Sequence, residues 1–286
     1  MPSLAIPSPM KTWNKSRVYE FAHLKRDGHQ LLVSRDDAGK VTATSRIGTD
    51  LTEKLKPYLA NVYRYLPNGS IIAGETWLPG VDASQIKTAI NRQDPNLRFD
   101  VFAVLQNPEV PAERLAKLSL YEADEMVSKW GLTFMQFVAF GANTTPEHVL
   151  DFVTRAEKDD YDTEGFVFKV NHVYDWVKWK PRRTIDLIVK GYEDGKGKYL
   201  GLVGNLICET SEGYELCKVS GMTDAQRIDI SLYKKKYLGC VVEVEYQTVL
   251  CKGRLRHPRF KRFRDDKSPD ACNVYQDSRL SEYWEK

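Results

Sequence analysis

The sequence has 286 residues, 42% of them hydrophobic, which is enough to bury a sizeable core and excludes disordered and collagen-like classes. Its 42 Lys and Arg against 39 Asp and Glu leave a formal charge of +3, too small a surplus for a chain that works by bulk cationic attraction. The surplus is uneven: residues 1–181 hold 22 basic and 23 acidic side chains, residues 182–286 hold 20 and 16, so affinity for polyanions is expected from the C-terminal third. No apolar run reaches the roughly 18 residues of a membrane span, and Met1 to Lys11 has prolines where a signal peptide would be apolar. A cytoplasmic protein with no membrane partner is expected. The five cysteines, Cys208, Cys217, Cys240, Cys251 and Cys272, are odd in number and contain no Cys-x-x-Cys, which predicts reduced thiols, no disulfide frame and no zinc site.

In chain order, Tyr19 to Ala22, Gln30 to Arg35, Val41 to Ser45, Ile71 to Trp77 and Leu97 to Leu105 are short runs rich in Val, Ile and aromatics, predicting antiparallel sheet. Leu51 to Tyr65 and Pro111 to Trp130 carry helical spacing, the first with Leu51, Leu55, Leu59, Val62 and Tyr63 on one face. Thr145-Pro146-Glu147 supplies an N-cap, a first-turn proline and a first-turn acid for a third helix. The composition shifts at Pro181-Arg182-Arg183, which predicts a domain boundary. Beyond it come five strand candidates, Ile185 to Tyr192, Leu200 to Glu209, Gly213 to Lys218, Cys240 to Leu250 and Gly253 to Arg256. Such a set suits a small closed barrel such as an OB-fold. The tail from Ser268 to Lys286 is expected to be a loosely packed extension.

One set of residues points to chemistry. Leu24-Lys25-Arg26-Asp27-Gly28 places a lysine on a turn after a strand. Gly74-Glu75 ends a strand, Phe102 lies in an apolar strand, Glu164-Gly165 turns into Phe166-Val167-Phe168-Lys169, and Val177-Lys178-Trp179-Lys180 alternates apolar with cationic. Alternation of period two puts Lys178 and Lys180 on one face of their strand. A phosphate fits between two such ammonium groups, and their field favours the neutral, nucleophilic form of a nearby amine. Glu75 and Glu164 would supply a ribose hydroxyl acceptor and a hard oxygen ligand for a divalent metal.

In this order and at these separations, the set resembles the covalent nucleotidyltransferase superfamily of ATP-dependent ligases and capping enzymes, over nearly the whole chain. The resemblance implies that Lys25 of the Lys-x-Asp-Gly motif, with Asp27 beside it, attacks the α-phosphate of ATP. It further implies that Glu75 binds the ribose, Glu164 serves Mg2+ or Mn2+, Lys178 and Lys180 contact the α-phosphate, and an aromatic stacks on adenine. Phe102 is chosen over Phe99 for that aromatic, on its spacing to Ala112-Glu113-Arg114. The segment Gly253 to Lys267, with Arg256-His257-Pro258-Arg259-Phe260 followed by Arg264-Asp265-Asp266-Lys267, looks like the closing motif of ATP-dependent DNA ligases. There the family implies that Arg264 and Lys267 engage the pyrophosphate during lysine adenylylation. Lys218 to Asp224 also looks like the ligase OB domain, and Ser45-Arg46-Ile47-Gly48 matches a segment whose arginine engages the 5′-phosphate at a nick.

The sequence departs from the pattern at two places. Gln30 stands where an arginine usually ends Lys-x-Asp-Gly-x-Arg, and Ala103 stands where an aspartate commonly follows the stacking aromatic. The stretch before Lys25 is expected to be too short for the helical DNA-binding domain of large ligases, and no zinc cluster or helix-hairpin module is evident.

The expected architecture is α+β. An adenylation (nucleotidyltransferase, ATP-grasp-like) domain of antiparallel sheets with helices spans 1–182, an OB-fold β-barrel spans 183–268, and an extension spans 269–286. The expected protein is a minimal, monomeric ATP-dependent DNA ligase, bacterial or phage-encoded and acting in the cytoplasm, with ATP and magnesium as cofactors and nicked double-stranded DNA as partner. Phosphate contacts are expected from Arg46, Arg182, Arg183, Lys234, Lys235, Lys236, Arg256, Arg259 and Arg262. An RNA ligase, a capping-type enzyme and a non-catalytic nucleic-acid-binding module are the alternatives.

Overall fold

The computed structural model describes residues 11–12, 19–140, 144–158, 164–169, 176–180, 182–250 and 252–284. The chain divides into two compact units, Met1–Lys180 and Pro181–Lys286, and has a mixed α+β architecture. Among the described residues no helix is long and apolar enough to cross a membrane.

The first unit holds β1 (Lys11–Thr12), β2 (Phe21–Leu24), β3 (His29–Arg35), β4 (Val41–Ser45), β5 (Ser70–Trp77), β6 (Arg98–Gln106), β7 (Thr133–Phe134), β8 (Phe137–Ala139), β9 (Phe166–Lys169) and β10 (Trp176–Trp179). They form two five-stranded sheets, ordered β4-β3-β5-β6-β7 and β1-β10-β9-β2-β8. All pairings are antiparallel except β1 with β10 and β6 with β7. The period-two alternation of each strand sorts its side chains into three apolar layers. Leu31, Val33, Ile72 and Val101 bury one face of the first sheet in a cluster with Ile86, Ile90 and Val127 of the helices Ala83–Arg92 and Leu120–Lys129. Phe166, Phe168, Val177 and Trp179 bury one face of the second sheet with Val149 and Val153 of the helix Pro146–Lys158. The remaining faces meet in a thin middle layer, where Ala73, Phe102, Ala103, Leu105 and Met135 pack with Val167 and Trp176.

Two of the expected helices are interrupted. The segment from Leu51 to Tyr65 is an α-turn Thr52–Leu55, a 3-10 turn Lys56–Leu59 and a helix Ala60–Tyr65. Pro57 stands at the front of the 3-10 turn, and with no N–H to donate it cannot continue a regular helix. Leu55, Leu59 and Val62 still bury one face, because the apolar spacing survives the break. The segment from Pro111 to Trp130 is Ala112–Leu115 and then Leu120–Lys129. Ser119 starts the second piece: its hydroxyl accepts from the Glu122 N–H while the Glu122 carboxylate accepts from the Ser119 N–H, a reciprocal capping box.

The second unit is one antiparallel sheet of β11 (Arg183–Asp194), β12 (Val203–Glu209), β13 (Glu215–Val219), β14 (Val241–Tyr246) and β15 (Arg259–Phe263), ordered β13-β12-β11-β14-β15. A single parallel bridge between Ser220 and Arg259 joins the two outer strands. The expected strand at Gly253 to Arg256 is instead one side of a tight loop. The Leu250 N–H donates to the Arg254 carbonyl at 2.7 Å and the Gly253 N–H to the Leu250 carbonyl at 2.8 Å; the fifth strand lies a few residues later, within the basic closing segment. The tail is also not loosely packed. Cys272, Val274 and Leu280 are buried, Val274 and Leu280 join the core of this unit, and Trp284 of the helix Ser278–Trp284 stacks on Tyr214 with ring centroids 4.3 Å apart. Apolar residues spaced through a polar tail thus cover the core that five short strands leave open.

Candidate active site

Lys25 follows β2 directly, and the β2–β9 ladder continues through it. The Lys25 N–H donates to the Gly165 carbonyl at 2.8 Å, and the Glu164 N–H donates to the Lys25 carbonyl at 3.0 Å. This pairing sets Lys25 beside Glu164, and the side chains complete it: the ammonium groups of Lys25 and Lys180 each ion-pair with one oxygen of the buried Glu164 carboxylate. Burial pushes that carboxyl up, but the two lysine charges and their hydrogen bonds outweigh it and hold Glu164 below its ordinary value.

Two glycines let these strands approach. A Cβ on Gly28 would lie 2.3 Å from the Thr76 carbonyl oxygen of β5, and one on Gly165, whose φ is +138°, would lie 2.2 Å from that of Trp179. The glycines of Lys-x-Asp-Gly and Glu-Gly are therefore close-approach positions, which press Lys25 and Asp27 toward Glu75 and Glu164 toward Lys180. Glu75, on β5, is only partly exposed, and burial pushes its carboxyl up to about 8. The negative charges of Glu164 and Asp27 add to this, while Lys25 and the Gly28 N–H oppose it. Lys25, Asp27, Glu75, Glu164 and Lys180 thus form one electrostatic cluster. Beside it, the Arg26 guanidinium lies 3.9 Å from the Trp77 ring centroid and 3.5 Å from the Asp100 carboxylate.

Lys178 lies on β10 and is exposed, while Val177 and Trp179 on either side are buried in the layer under the helix. Phe102 is 5% exposed in the middle layer, edge-on to Trp176 with ring centroids 5.5 Å apart. Phe99 turns the other way and packs over Gly74 and the first core. Arg46 is exposed in the Ser45–Gly48 turn, closed by the Gly48 N–H donating to the Ser45 carbonyl at 2.9 Å.

In the second unit several of the cations are paired with acids. Arg264 donates to both oxygens of Asp186 at 3.2 Å and pairs with Asp266 at 2.8 Å, and Lys267 lies 3.8 Å from Asp186. Lys261 and Arg262 each lie 2.7 Å from Glu243, and their hydrogen bonds hold that carboxyl below its ordinary value. Arg182 is exposed, 3.8 Å from Glu245. Arg183 is half-buried, 3.7 Å from Asp277, which also accepts from the Tyr246 hydroxyl; it reads as part of the packing of the tail. Lys234, Lys235 and Lys236 lie exposed on the short helix Lys234–Tyr237, Arg259 is exposed, and Arg256 is partly so.

Among the described residues no group of three or more His, Cys, Asp or Glu side chains lies together as a ready-made metal site. A magnesium ion carried on substrate phosphates needs only one or two protein carboxylates, and Glu164, whose two oxygens here pair with Lys25 and Lys180, would supply one by exchanging an ammonium group for the metal.

His23, Lys169 and Trp176, which the motifs do not single out, lie on the face of the second sheet that carries Lys25. Alternation through Lys25, through Val167 and through Lys178 on their strands was the available signal.

Residues 194–264 match the protein family described as the DNA ligase OB-like domain. Among solved structures, the chain is similar to one called "Pmar-Lig_PreS3", with 21% identity over 90% of this chain and 67% of that one and a TM-score of 0.65. It is also similar to one described as "DNA binding with a minimal scaffold: Structure-function analysis of Lig E DNA ligases", with 16% identity, 91% and 99% coverage and a TM-score of 0.64. The chain therefore has the fold of the DNA ligases and carries a DNA ligase OB-like domain.

Proposed function

We propose that the chain is an ATP-dependent DNA ligase that seals nicks in duplex DNA through a lysyl-AMP intermediate. The observation that carries this reading is the convergence of Lys25 and Lys180 on the buried Glu164, with Glu75 and Asp27 in the same electrostatic cluster. In the first step the Lys25 amine, having given up a proton, attacks the α-phosphorus of ATP. A P–N bond forms, the bond from the α-phosphorus to the bridging oxygen breaks, and pyrophosphate leaves with that electron pair. In the second step a 5′-phosphate oxygen at the nick attacks the same phosphorus and expels the lysine amine. In the third the 3′-hydroxyl attacks the activated 5′-phosphate and expels AMP.

The roles follow from the local chemistry. Glu164 holds the Lys25 ammonium next to the nucleotide and would bind magnesium, which neutralises phosphate charge when present. Lys178 and Lys180 stabilise charge on the α-phosphate, Glu75 accepts from the ribose, Phe102 stacks on adenine, and Arg264 with Lys267 assists pyrophosphate departure. Arg46, Arg182, Lys234, Lys235, Lys236, Arg256, Arg259 and Arg262 contact DNA phosphates without reading bases.

Sealing of a 5′-phosphorylated nicked duplex with ATP and magnesium tests this reading, with a matched substrate whose 3′ strand is RNA. The expected result is joining of the all-DNA nick at the higher rate. Faster joining of the RNA-containing nick assigns the same lysine chemistry to an RNA ligase, and joining of neither overturns the ligase reading.

A further inference from the structure

Lysine is almost never fully buried without a partner, yet Lys169 is 1% exposed and has no ion-pair partner among the described residues. Among the described residues its amine lies 4.0 Å from the Trp176 ring centroid and donates to the backbone carbonyl of Phe102 at 3.4 Å. Phe102 sits at an irregularity of the β5–β6 ladder. Ala73 pairs with Ala103 and Gly74 pairs with Val101, so Phe102 is the extra residue with no partner on β5. An extra residue of this kind re-aims side chains locally and leaves its own backbone groups outside the ladder. Here it turns both Phe102 and Ala103 into the middle layer, while Val101 and Val104 on either side face the first core.

We infer that Lys169 is a positioning residue, whose amine completes the hydrogen bonding of the Phe102 bulge and thereby aims the Phe102 ring at the nucleotide. The inference rests on the ligase reading above, in which Phe102 stacks on adenine. Trp176 carries the second half of the brace: Lys169 lies on its face, while its ring meets Phe102 and His23 edge-on at 5.5 and 5.8 Å. Without the amine, the Phe102 carbonyl loses that donor beside the apolar side chains of Ala73, Ala103, Leu105 and Met135, a costly arrangement for a buried acceptor. Relaxing the bulge to regular pairing would shift the register by one residue, and a one-residue slip sends a side chain to the opposite face of the sheet.

The test is the ATP dependence of lysine adenylylation, followed by intact mass, for wild type, Lys169→Met and Lys169→Arg. Met keeps the length and volume of the chain but cannot donate; Arg keeps a cationic donor. Lys169→Met is expected to raise the KM for ATP about tenfold with the rate at saturating ATP within about threefold of wild type, and Lys169→Arg to recover most of the loss. The KM effect is further expected to disappear in a Phe102→Leu background, because Lys169 acts through that ring. If Lys169→Met does not fold, Lys169→Gln, too short to span to the carbonyl, carries the same expectation. An unchanged KM, or a KM rise that persists undiminished without the Phe102 ring, overturns the inference. Wild-type protein that gains no AMP overturns the ligase reading itself, so the two failures are distinguishable.

Discussion

The two units hold cations in opposite ways. In the first, Lys25 and Lys180 close on one buried carboxylate, and each main-chain segment that carries them is held by ladder hydrogen bonds or by a glycine that lets strands touch. In the second, the closing segment lays Arg259, Lys261 and Arg262 along one strand, with Arg264 and Lys267 beyond it; the acids that most of these meet, Glu243 and Asp186, are buried, but the cationic side chains of Lys261, Arg262 and Lys267 stay largely open to solvent. A charge fixed in a low-dielectric site acts strongly on one substrate atom. A row of exposed charges is screened and adapts to a polyanion. The proposed function divides the labour accordingly: the first cluster makes and breaks bonds to phosphorus and the second tracks the duplex, except that Arg264 and Lys267 act on the departing pyrophosphate.

The sharpest way to separate the two is salt. Between about 50 and 200 mM monovalent salt, affinity for nicked duplex is expected to fall roughly a thousandfold, while the rate of lysine adenylylation stays within about twofold. Equal sensitivity of both, measured by filter binding and intact mass, would merge the two clusters into one. Glu164→Gln attacks the first cluster alone: it removes the charge that Lys25 and Lys180 share and is expected to slow adenylylation about a hundredfold or more, with DNA affinity little changed. Arg264→Ala attacks the second. It is expected to slow adenylylation about tenfold yet leave joining of a pre-adenylylated nick near the wild-type rate, as single-turnover sealing would show.

The smallest effect concerns the buried amine between the sheets. Burial lowers Lys169 from 10.5 to about 7. Below pH 7 the folded and unfolded chains both hold the proton and the folded state carries the full cost of the buried charge. Between pH 7 and 10.5 only the unfolded chain holds it, so stability rises with pH. Lys169→Met lacks this slope. The melting temperature of wild type relative to Lys169→Met is therefore expected to rise by roughly 5–10 °C from pH 6 to pH 9, and a difference independent of pH would contradict the burial of a titrating amine.

Much of this arrangement was legible in the sequence where local rules decide it. Val177-Lys178-Trp179-Lys180 alternates as written, with Val177 and Trp179 buried and Lys178 exposed, and Thr145-Pro146-Glu147 opens the helix Pro146–Lys158. The helix over Leu51 to Tyr65 failed at Pro57, a residue visible in the sequence whose effect depends on whether neighbouring turns absorb the missing donor. The tail from Ser268 was unreadable for another reason: Cys272, Val274 and Leu280 have no periodicity of their own, and their burial is decided by the opening that the strands of the second unit leave. The same holds for Lys169. Its place in the Glu164 to Lys169 strand was clear, but nothing local announces that the carbonyl awaiting its amine belongs to a bulge 67 residues away.

The central claim is that Lys25 is a nucleophile. Intact-mass measurement of the protein incubated with ATP and magnesium, in the absence of nucleic acid, tests it most directly. The account predicts a gain of one AMP per chain that is reversed by pyrophosphate and absent from Lys25→Ala. A Lys25→Ala protein that still gains AMP, or wild-type protein that neither gains AMP from ATP nor loses it to pyrophosphate, would contradict it.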